Sequence, residues 1–351
     1  MTPLRLARTA GIGFCAALAL ALTPAFADDS LSLVLGGQTP TLMNTLNLVA
    51  EGAGFYKDEH LNVSLTLVKD SPEATQACSD GKFDICPIGI EPLITRYEKG
   101  ERLKMFLSRA AKFTYVYAVL EDSPIRSLAD FKGKSIGVHS STGPTAVGAS
   151  QSGLTIAGLK STDYTLVTIG KDDEAMAQLV SGKVAGAALP YYEFIPYIVA
   201  GRKLRILHHP TLENVTNSGY AISPAVLAAK TDAVKRFSRS IVKSSLLIRY
   251  NPKAAARAWL TAQHKPFSAK DLTQKTAELN AWQAYLPAAD PTNRRIGAIT
   301  IAGIQSYIDL MKKSGFLKDP VAATELATDD LIEAANDFDH EAFERTAKSM
   351  Q

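Results

Sequence analysis

The chain has 351 residues, of which 38 are Lys or Arg and 35 are Asp or Glu, so its net charge at pH 7 is +3. So small an excess of positive charge excludes the basic footprint of a protein that binds nucleic acid or anionic lipid. The length exceeds what one hydrophobic core usually supports, and we therefore expect two lobes.

The first 27 residues have the pattern of a secretory signal peptide. Two arginines precede an apolar run over residues 10–22, and Ala25-Phe26-Ala27 has the small residues that signal peptidase recognises. Pro24 interrupts the run before it reaches the ~20 apolar residues that a transmembrane helix needs. We expect cleavage before Asp28, which leaves a mature chain with a net charge of +1.

Three cysteines bear on the compartment and on covalent cross-links. Cys15 lacks the setting of a lipoprotein anchor, because Phe14 stands where lipoproteins carry a small residue, so we expect a soluble periplasmic protein.

Cys78 falls in a predicted helix and Cys86 on the following strand. Export permits a disulfide, but packed elements about 8–10 Å apart leave Cα atoms near the bridging limit of about 7 Å. We expect two buried thiols, with a disulfide as the alternative.

Strands and helices alternate from residue 28 onwards. The first series predicts strands at 30–35, 61–68, 83–88 and 103–110, with helices at 42–53, 72–79 and 92–99. The second series predicts strands at 113–120, 134–138, 164–169, 184–189 and 204–208, with helices at 144–153, 172–181 and 194–200. This alternation predicts mainly parallel sheets that are covered on both faces.

The pattern becomes helical after Pro224. An apolar stripe at helical spacing runs through residues 231–250 and ends at Asn251-Pro252. Segments 114–119 and 218–222 are predicted to cross between the lobes. We therefore expect lobe one at 28–116 and 221–351, with its helical tail, and lobe two at 117–220. A pair of crossing segments makes a hinge.

Several sequence segments at the junctions between predicted strands and helices resemble one protein family. The similar segments are 53–65, 77–85, 89–93, 127–138 and 316–318. They resemble the solute-binding proteins of ABC importers, in the branch that includes taurine, alkanesulfonate and thiamine-precursor pyrimidine binders. The resemblance implies a two-lobed α/β periplasmic binding protein of type 2, with two doubly wound sheets. It also implies a small-molecule ligand, an importer permease as partner, a monomer, and neither catalysis nor a cofactor.

Ligands of open α/β sheets bind beyond the carboxyl ends of the strands. That rule selects four loops, at 36–40, 89–92, 139–144 and 190–193. Ser141, Thr142 and Gly143 combine hydroxyls and a glycine at a helix start, which favours an anion. An ordinary helix N-cap needs only one of these hydroxyls. The resemblance favours the anion site, because taurine and sulfonate binders have a hydroxyl-rich turn there.

Tyr191, Tyr192 and Glu193 form the second candidate cluster. Neighbouring residues at a strand end point in different directions, so we expect one tyrosine to face the cleft. The chain lacks the Trp-Asp-Pro-Tyr-like turn of sulfonate binders, and Gly36-Gly37-Gln38-Thr39 replaces the Trp-x-Pro-Asn signature of pyrimidine binders. Neither branch of the family fits completely, so the ligand stays open.

The four loops bring two carboxylates, Glu91 and Glu193, and no Lys or Arg. A dianion would be disfavoured between them, whereas a zwitterionic sulfonate or carboxylate, or an amine-bearing heterocycle, would be accommodated. The alternative is that each glutamate is solvated or caps a helix. A rival function is an exported enzyme that uses Glu91 or Glu193 as acid or base. The expected ligand-binding residues are Gln38, Thr39, Glu91, Tyr115, Ser141, Thr142, Gly143, Tyr191, Tyr192, Glu193 and Asn217.

Overall fold

The computed structural model describes residues 28–139, 144–170, 172–213, 215–288, 292, 294–319 and 321–351. The expected signal peptide lies outside these ranges, as do Ser141, Thr142 and Gly143. Among the described residues, no helix is long and apolar enough to span a membrane.

The chain alternates strands and helices up to residue 222. The elements are β1 Asp29–Gly36, α1 Thr45–Gly52, α2 Phe55–Asp58, β2 Leu61–Val68, α3 Ser71–Ser79, β3 Cys86–Gly89, α4 Ile90–Glu98, β4 Lys104–Ser108, β5 Tyr115–Leu120, β6 Ser135–His139, α5 Pro144–Ile156, β7 Thr165–Ile169, α6 Asp172–Val180, β8 Gly186–Pro190, α7 Tyr191–Val199, β9 Leu204–Leu207 and β10 Ser218–Ile222.

The remainder is helical. Its elements are α8 Pro224–Tyr250, α9 Pro252–Thr261, α10 Ala269–Trp282, α11 Ile301–Lys313, α12 Ala323–Leu326, α13 Ile332–Ala335 and α14 His340–Ser349.

Local sequence accounts for these elements. In β2, Leu61 and Val63 are buried and Asn62 and Ser64 are exposed, as the period of two requires. Helix α3 begins where the Asp70 carboxylate accepts a hydrogen bond from the backbone N–H of Glu73. Asn251 ends α8 and caps α9 by accepting from the backbone N–H of Ala254.

Two groups of strands organise the chain. In the first sheet group, β1 pairs with β2 in parallel, and the order β3-β10-β4 is antiparallel. An isolated bridge between Leu33 and Ile85 connects the two parts. The second sheet has the order β7-β6-β8-β5-β9, in which β6 runs parallel to β7 and β8, and β5 runs antiparallel to β8 and β9.

The expectation of mainly parallel sheets is wrong in one respect, since both groups are mixed. The two crossing strands are the cause. Strand β5 brings the chain into the second sheet and lies between β8 and β9, whereas β10 returns it to the first group between β3 and β4. Each crossing strand runs antiparallel to both of its neighbours.

The helical tail packs mainly on the first sheet group. The apolar stripe of α8 is buried as predicted, with Val234, Phe237, Ile241 and Ile248 at most 1% exposed. Helix α8 contacts α1, α9, α13 and α14, while α10 contacts α7 and α11 contacts α5. The tail therefore also contacts two helices that cover the second sheet.

Cys78 and Cys86 form a disulfide, so the expectation of two free thiols is wrong. The turn through Gly81, which has a φ of 70°, leads the chain from α3 back to β3. The two Cα atoms are consequently 5.9 Å apart, within bridging range. The general spacing between packed elements does not apply to residues this close to the turn that connects them.

Candidate functional site

A cavity of about 470 Å³ lies where the loops of both sheet groups meet. Its walls include the residues after β1, the first turns of α3, the end of β3 and the residue after β4. The second sheet contributes the ends of β6 and β8 and the first turns of α6 and α7. Most of these positions follow the carboxyl end of a strand, where α/β proteins bind ligands.

The cavity contains six of the eleven residues that the sequence predicts. The described residues among them that line it are Gln38, Thr39, Tyr115, Tyr192, Glu193 and Asn217. Glu91 and Tyr191 do not line it. The remaining three, in the hydroxyl-rich turn, lie outside the described residues.

The loop after β1 reaches the cavity because β1 ends against the start of α3. A Cβ on Gly36 would lie 2.5 Å from the backbone nitrogen of Ser71, a contact that real side chains do not make. Gly37 has a φ of 120°, which an L-residue rarely adopts. The two glycines thus allow the turn that places Gln38 and Thr39 in the cavity wall.

The two adjacent tyrosines have different surroundings. Tyr192 lines the cavity, and burial raises the pKa of its hydroxyl well above the usual value. Tyr191 instead stacks on Tyr285 with ring centroids 4.6 Å apart, and this ring stacks in turn on Trp282. Of the two, Tyr192 is therefore the one that faces the cleft.

Glu91 is fully buried behind the cavity wall. The Tyr307 hydroxyl donates to its Oε1 over 2.6 Å, and Oε2 has no hydrogen-bond partner among the described residues. Burial raises the pKa of the Glu91 carboxyl to about 7. A Cβ on Gly89, which does line the cavity, would lie 3.2 Å from Oε2. One residue therefore separates this carboxyl from the ligand space.

Glu193 and His139 form a close pair in the second sheet's wall. His139 ends β6 and Glu193 lies in the first turn of α7, so strand-to-helix junctions position both. The His139 Nε2 atom is 3.6 Å from Glu193 Oε2, and the two side chains are 6% and 13% exposed. Asp172, at the start of α6, adds a second acidic residue to this side.

Arg109 is the main residue that sequence reasoning missed. It follows β4, lines the cavity and is 8% exposed. Lys69 also lines the cavity, at the surface. The four selected loops carry no Lys or Arg, but Arg109 and Lys69 reach the cavity from outside them, so cationic side chains do line the cleft. The strand-end rule does not select Arg109, because the sequence predicts this strand at 103–110, whereas β4 ends at Ser108.

The two crossing segments are joined beside the cavity. The Asn217 Oδ1 atom accepts from the backbone N–H of Thr114 over 3.2 Å, and its Nδ2 donates to the Thr114 hydroxyl. The Asn217 carbonyl also accepts from the backbone N–H of Ile90, and the Thr114 carbonyl accepts from that of Tyr191. Asn217 thus links the chain's two passages between the sheets as well as lining the cavity.

The sequence model of the family described as NMT1/THI5 like matches residues 44–255, more than half of the chain. The chain belongs to this family. No curated protein matches this NMT1/THI5-like chain in sequence. Within its described residues, no group of three or more side chains could hold a metal ion.

Solved structures show the fold of this NMT1/THI5-like protein. The periplasmic aliphatic sulphonate binding protein SsuA from Escherichia coli is 18% identical, with 85% of this chain and 91% of that chain covered and a TM-score of 0.63. The alkanesulfonate-binding protein SsuA from Xanthomonas axonopodis pv. citri, bound to MOPS, is 16% identical, with 85% and 98% covered and a TM-score of 0.59.

The desulfurization enzyme DszB is also similar, at 17% identity, with 88% of this chain and 98% of that chain covered and a TM-score of 0.57. Identities this low show the fold alone. The predicted two-lobed α/β fold of periplasmic binding proteins is confirmed, and so is the resemblance to the solute-binding proteins of importers.

Proposed function

We propose that this protein is the periplasmic substrate-binding component of an ABC importer. It captures a small organic solute between two lobes, with lobe one at 28–116 and 221–351 and lobe two at 117–220. The observation that carries the proposal is the cavity of about 470 Å³, whose walls come from both sheet groups. Small-molecule sites have volumes of about 300–1,000 Å³.

The mechanism is closure about the two crossing segments. A ligand in the cavity touches both lobes only when they are close together, so it stabilises the closed state by the difference between its affinities for the two states. The Thr114 and Asn217 hydrogen bonds tie the crossing segments at the centre of this movement. The importer's permease then recognises the surfaces that closure brings together.

The ligand is a zwitterionic sulfonate or carboxylate, or an amine-bearing heterocycle. Glu193 and Asp172 supply negative charge on the wall of lobe two, where a cationic or amine group is favoured. Gln38, Thr39 and Tyr192 supply neutral hydrogen-bonding groups. We place Ser141, Thr142 and Gly143 at the same cleft, because their turn leads from β6 to α5.

Export follows from the sequence of the first 27 residues. Cleavage before Asp28 releases the protein into the periplasm, where a permease of the inner membrane is accessible. Intact-mass analysis of protein from the periplasm measures the N-terminus directly. A lipid attached to Cys15 would contradict release as a soluble protein.

An exported enzyme on the same fold is the second candidate, and the observation in its favour is the His139 and Glu193 pair in the cavity. Such a pair can move protons between a ligand and the protein. Of the two glutamates that the sequence offers as acid or base, Glu193 lines the cavity and Glu91 does not.

Chemical analysis of the bound compound distinguishes the two functions. The ligand is released by denaturing the purified protein, identified by mass spectrometry, and incubated with fresh protein. A binding protein returns the compound unchanged. Conversion to a product would contradict the transport function.

A further inference from the structure

The guanidinium of Arg109 is a buried cation in the cavity wall. The side chain is 8% exposed, and its Nε has no hydrogen-bond partner among the described residues. Burial lowers the pKa of this guanidinium, and the side chains that offset this effect are Tyr220 and Tyr192, with no carboxylate among them. A buried charge without a counter-ion is costly in free energy.

Two contacts fix the position of this guanidinium. Its Nη2 donates to the carbonyl oxygen of Met43 over 2.7 Å, and its central carbon lies 5.5 Å from the centre of the Tyr220 ring. Tyr220 is itself held, because its hydroxyl donates to Asn47 Oδ1 over 2.8 Å. These contacts orient the planar group beside the cavity but bring it no negative charge.

Three acidic residues line the cavity: Asp70 and Glu193 have other partners, and Asp172 begins α6 in the opposite wall. Asp70 caps α3 by accepting from a backbone N–H. Glu193 lies beside His139 in the opposite wall. The described part of the chain therefore leaves the charge of Arg109 without a counter-ion, at a place that a ligand can reach.

We infer that Arg109 binds the anionic end of the ligand, and that this ligand carries a carboxylate or a sulfonate. The inference rests on the proposed solute-binding function and narrows its ligand class. The planar N–H fork of arginine matches two oxygens of either group. A zwitterion would place its anion on Arg109 of lobe one and its cation at Glu193 of lobe two. A heterocycle without an anion would leave the charge of Arg109 uncompensated.

The test uses matched pairs of probes in isothermal titration calorimetry. Taurine is compared with ethanolamine, and MOPS with 3-morpholino-1-propanol, so that in each pair a hydroxyl replaces the sulfonate. We expect at least one sulfonate to bind the wild-type protein, and the two compounds that lack a sulfonate to bind more weakly. Arg109→Gln should weaken sulfonate binding about 10- to 100-fold, because a charged hydrogen-bond partner is lost.

Two further variants make the result specific. Arg109→Lys keeps the charge but loses the planar fork, so we expect it to weaken binding less than Arg109→Gln does. Arg205→Gln makes the same change at an arginine that donates to the carbonyls of Ser123 and Ile125, away from the cavity, and should leave affinity unchanged. Should Arg109→Gln not fold, the Lys variant is read alone, with a several-fold loss expected.

Three results would overturn the anion assignment. They are failure of taurine, of MOPS and of β-alanine, the carboxylate counterpart of taurine, to bind the wild-type protein, equal binding by wild type and the Arg109 variants, and binding of ethanolamine as tight as that of taurine. The two proposals fail separately. If a sulfonate binds through Arg109 but is chemically converted, only the transport function is contradicted. If a solute compacts the protein and binds the Arg109→Gln variant as tightly as wild type, only the assignment of Arg109 to the ligand's anion is contradicted.

Discussion

Replacing Glu91 by Gln is expected to stabilise the protein above neutral pH and to change its stability little in acid. Burial raises the pKa of this carboxyl from 4.5 to about 7. Between these values the unfolded chain has released a proton that the folded protein keeps, so stability falls as the pH rises. At about 1.4 kcal/mol per pH unit, the loss reaches about 3 kcal/mol and is complete above the folded pKa. Gln carries no charge at any pH and avoids this loss.

Urea titration at about pH 4.5 and about pH 8 gives the free energy of unfolding of the variant and of wild type. The difference between the two proteins removes the contribution of groups that titrate equally in both. Tyr307→Phe removes the hydrogen bond that favours the ionised carboxyl, so it should extend the loss to higher pH. Glu278→Gln is the control, since it breaks an ion pair with Lys275 and should destabilise the protein at about pH 8. An identical Glu91→Gln difference at both pH values would refute the reasoning.

Three other outcomes are expected. Replacing both Cys78 and Cys86 by Ser should lower the free energy of unfolding by about 2–3 kcal/mol, measured by urea titration, because the unfolded chain gains freedom; no change would show that the bridge is dispensable. Tyr191→Leu removes a stacked ring and should cost about 0.5–1.5 kcal/mol of stability with unaltered ligand affinity, whereas Tyr192→Leu should lower affinity. Glu193→Gln should weaken binding of a zwitterion such as taurine about tenfold or more in calorimetry, and equal affinity would remove this residue from the site.

The sequence predicts most elements well because buried apolar residues recur with the period of a strand or of a helix. The alternation in 61–68 predicts β2 with both ends correct, and the stripe in 231–250 predicts the buried face of α8. Periodicity shows which face of an element is buried, but not which strand lies beside it. The insertion of β5 and β10 against their neighbours therefore could not be derived from the alternation of strands and helices.

The candidate site was predicted less completely, for two physical reasons. Loop position places a residue near the cleft but does not fix the direction of its side chain. The sequence predicts Glu91 and Gly89 in one loop, but Gly89 ends β3 and lines the cavity, whereas Glu91 lies in α4 and faces Tyr307 in the core. Arg109 is not selected from the sequence, because the apolar pattern places it inside the strand predicted at 103–110, whereas β4 ends at Ser108. Its burial depends on Met43 and Tyr220, which lie far away in sequence.

The change in dimensions on ligand binding tests the central claim most directly. Ligand released from the denatured protein is identified by mass spectrometry and titrated into ligand-free protein during small-angle X-ray scattering. The account predicts a smaller radius of gyration at saturation, because the bound solute stabilises the closed arrangement of the lobes. Tight binding of the unchanged compound with no decrease in the radius of gyration would contradict it.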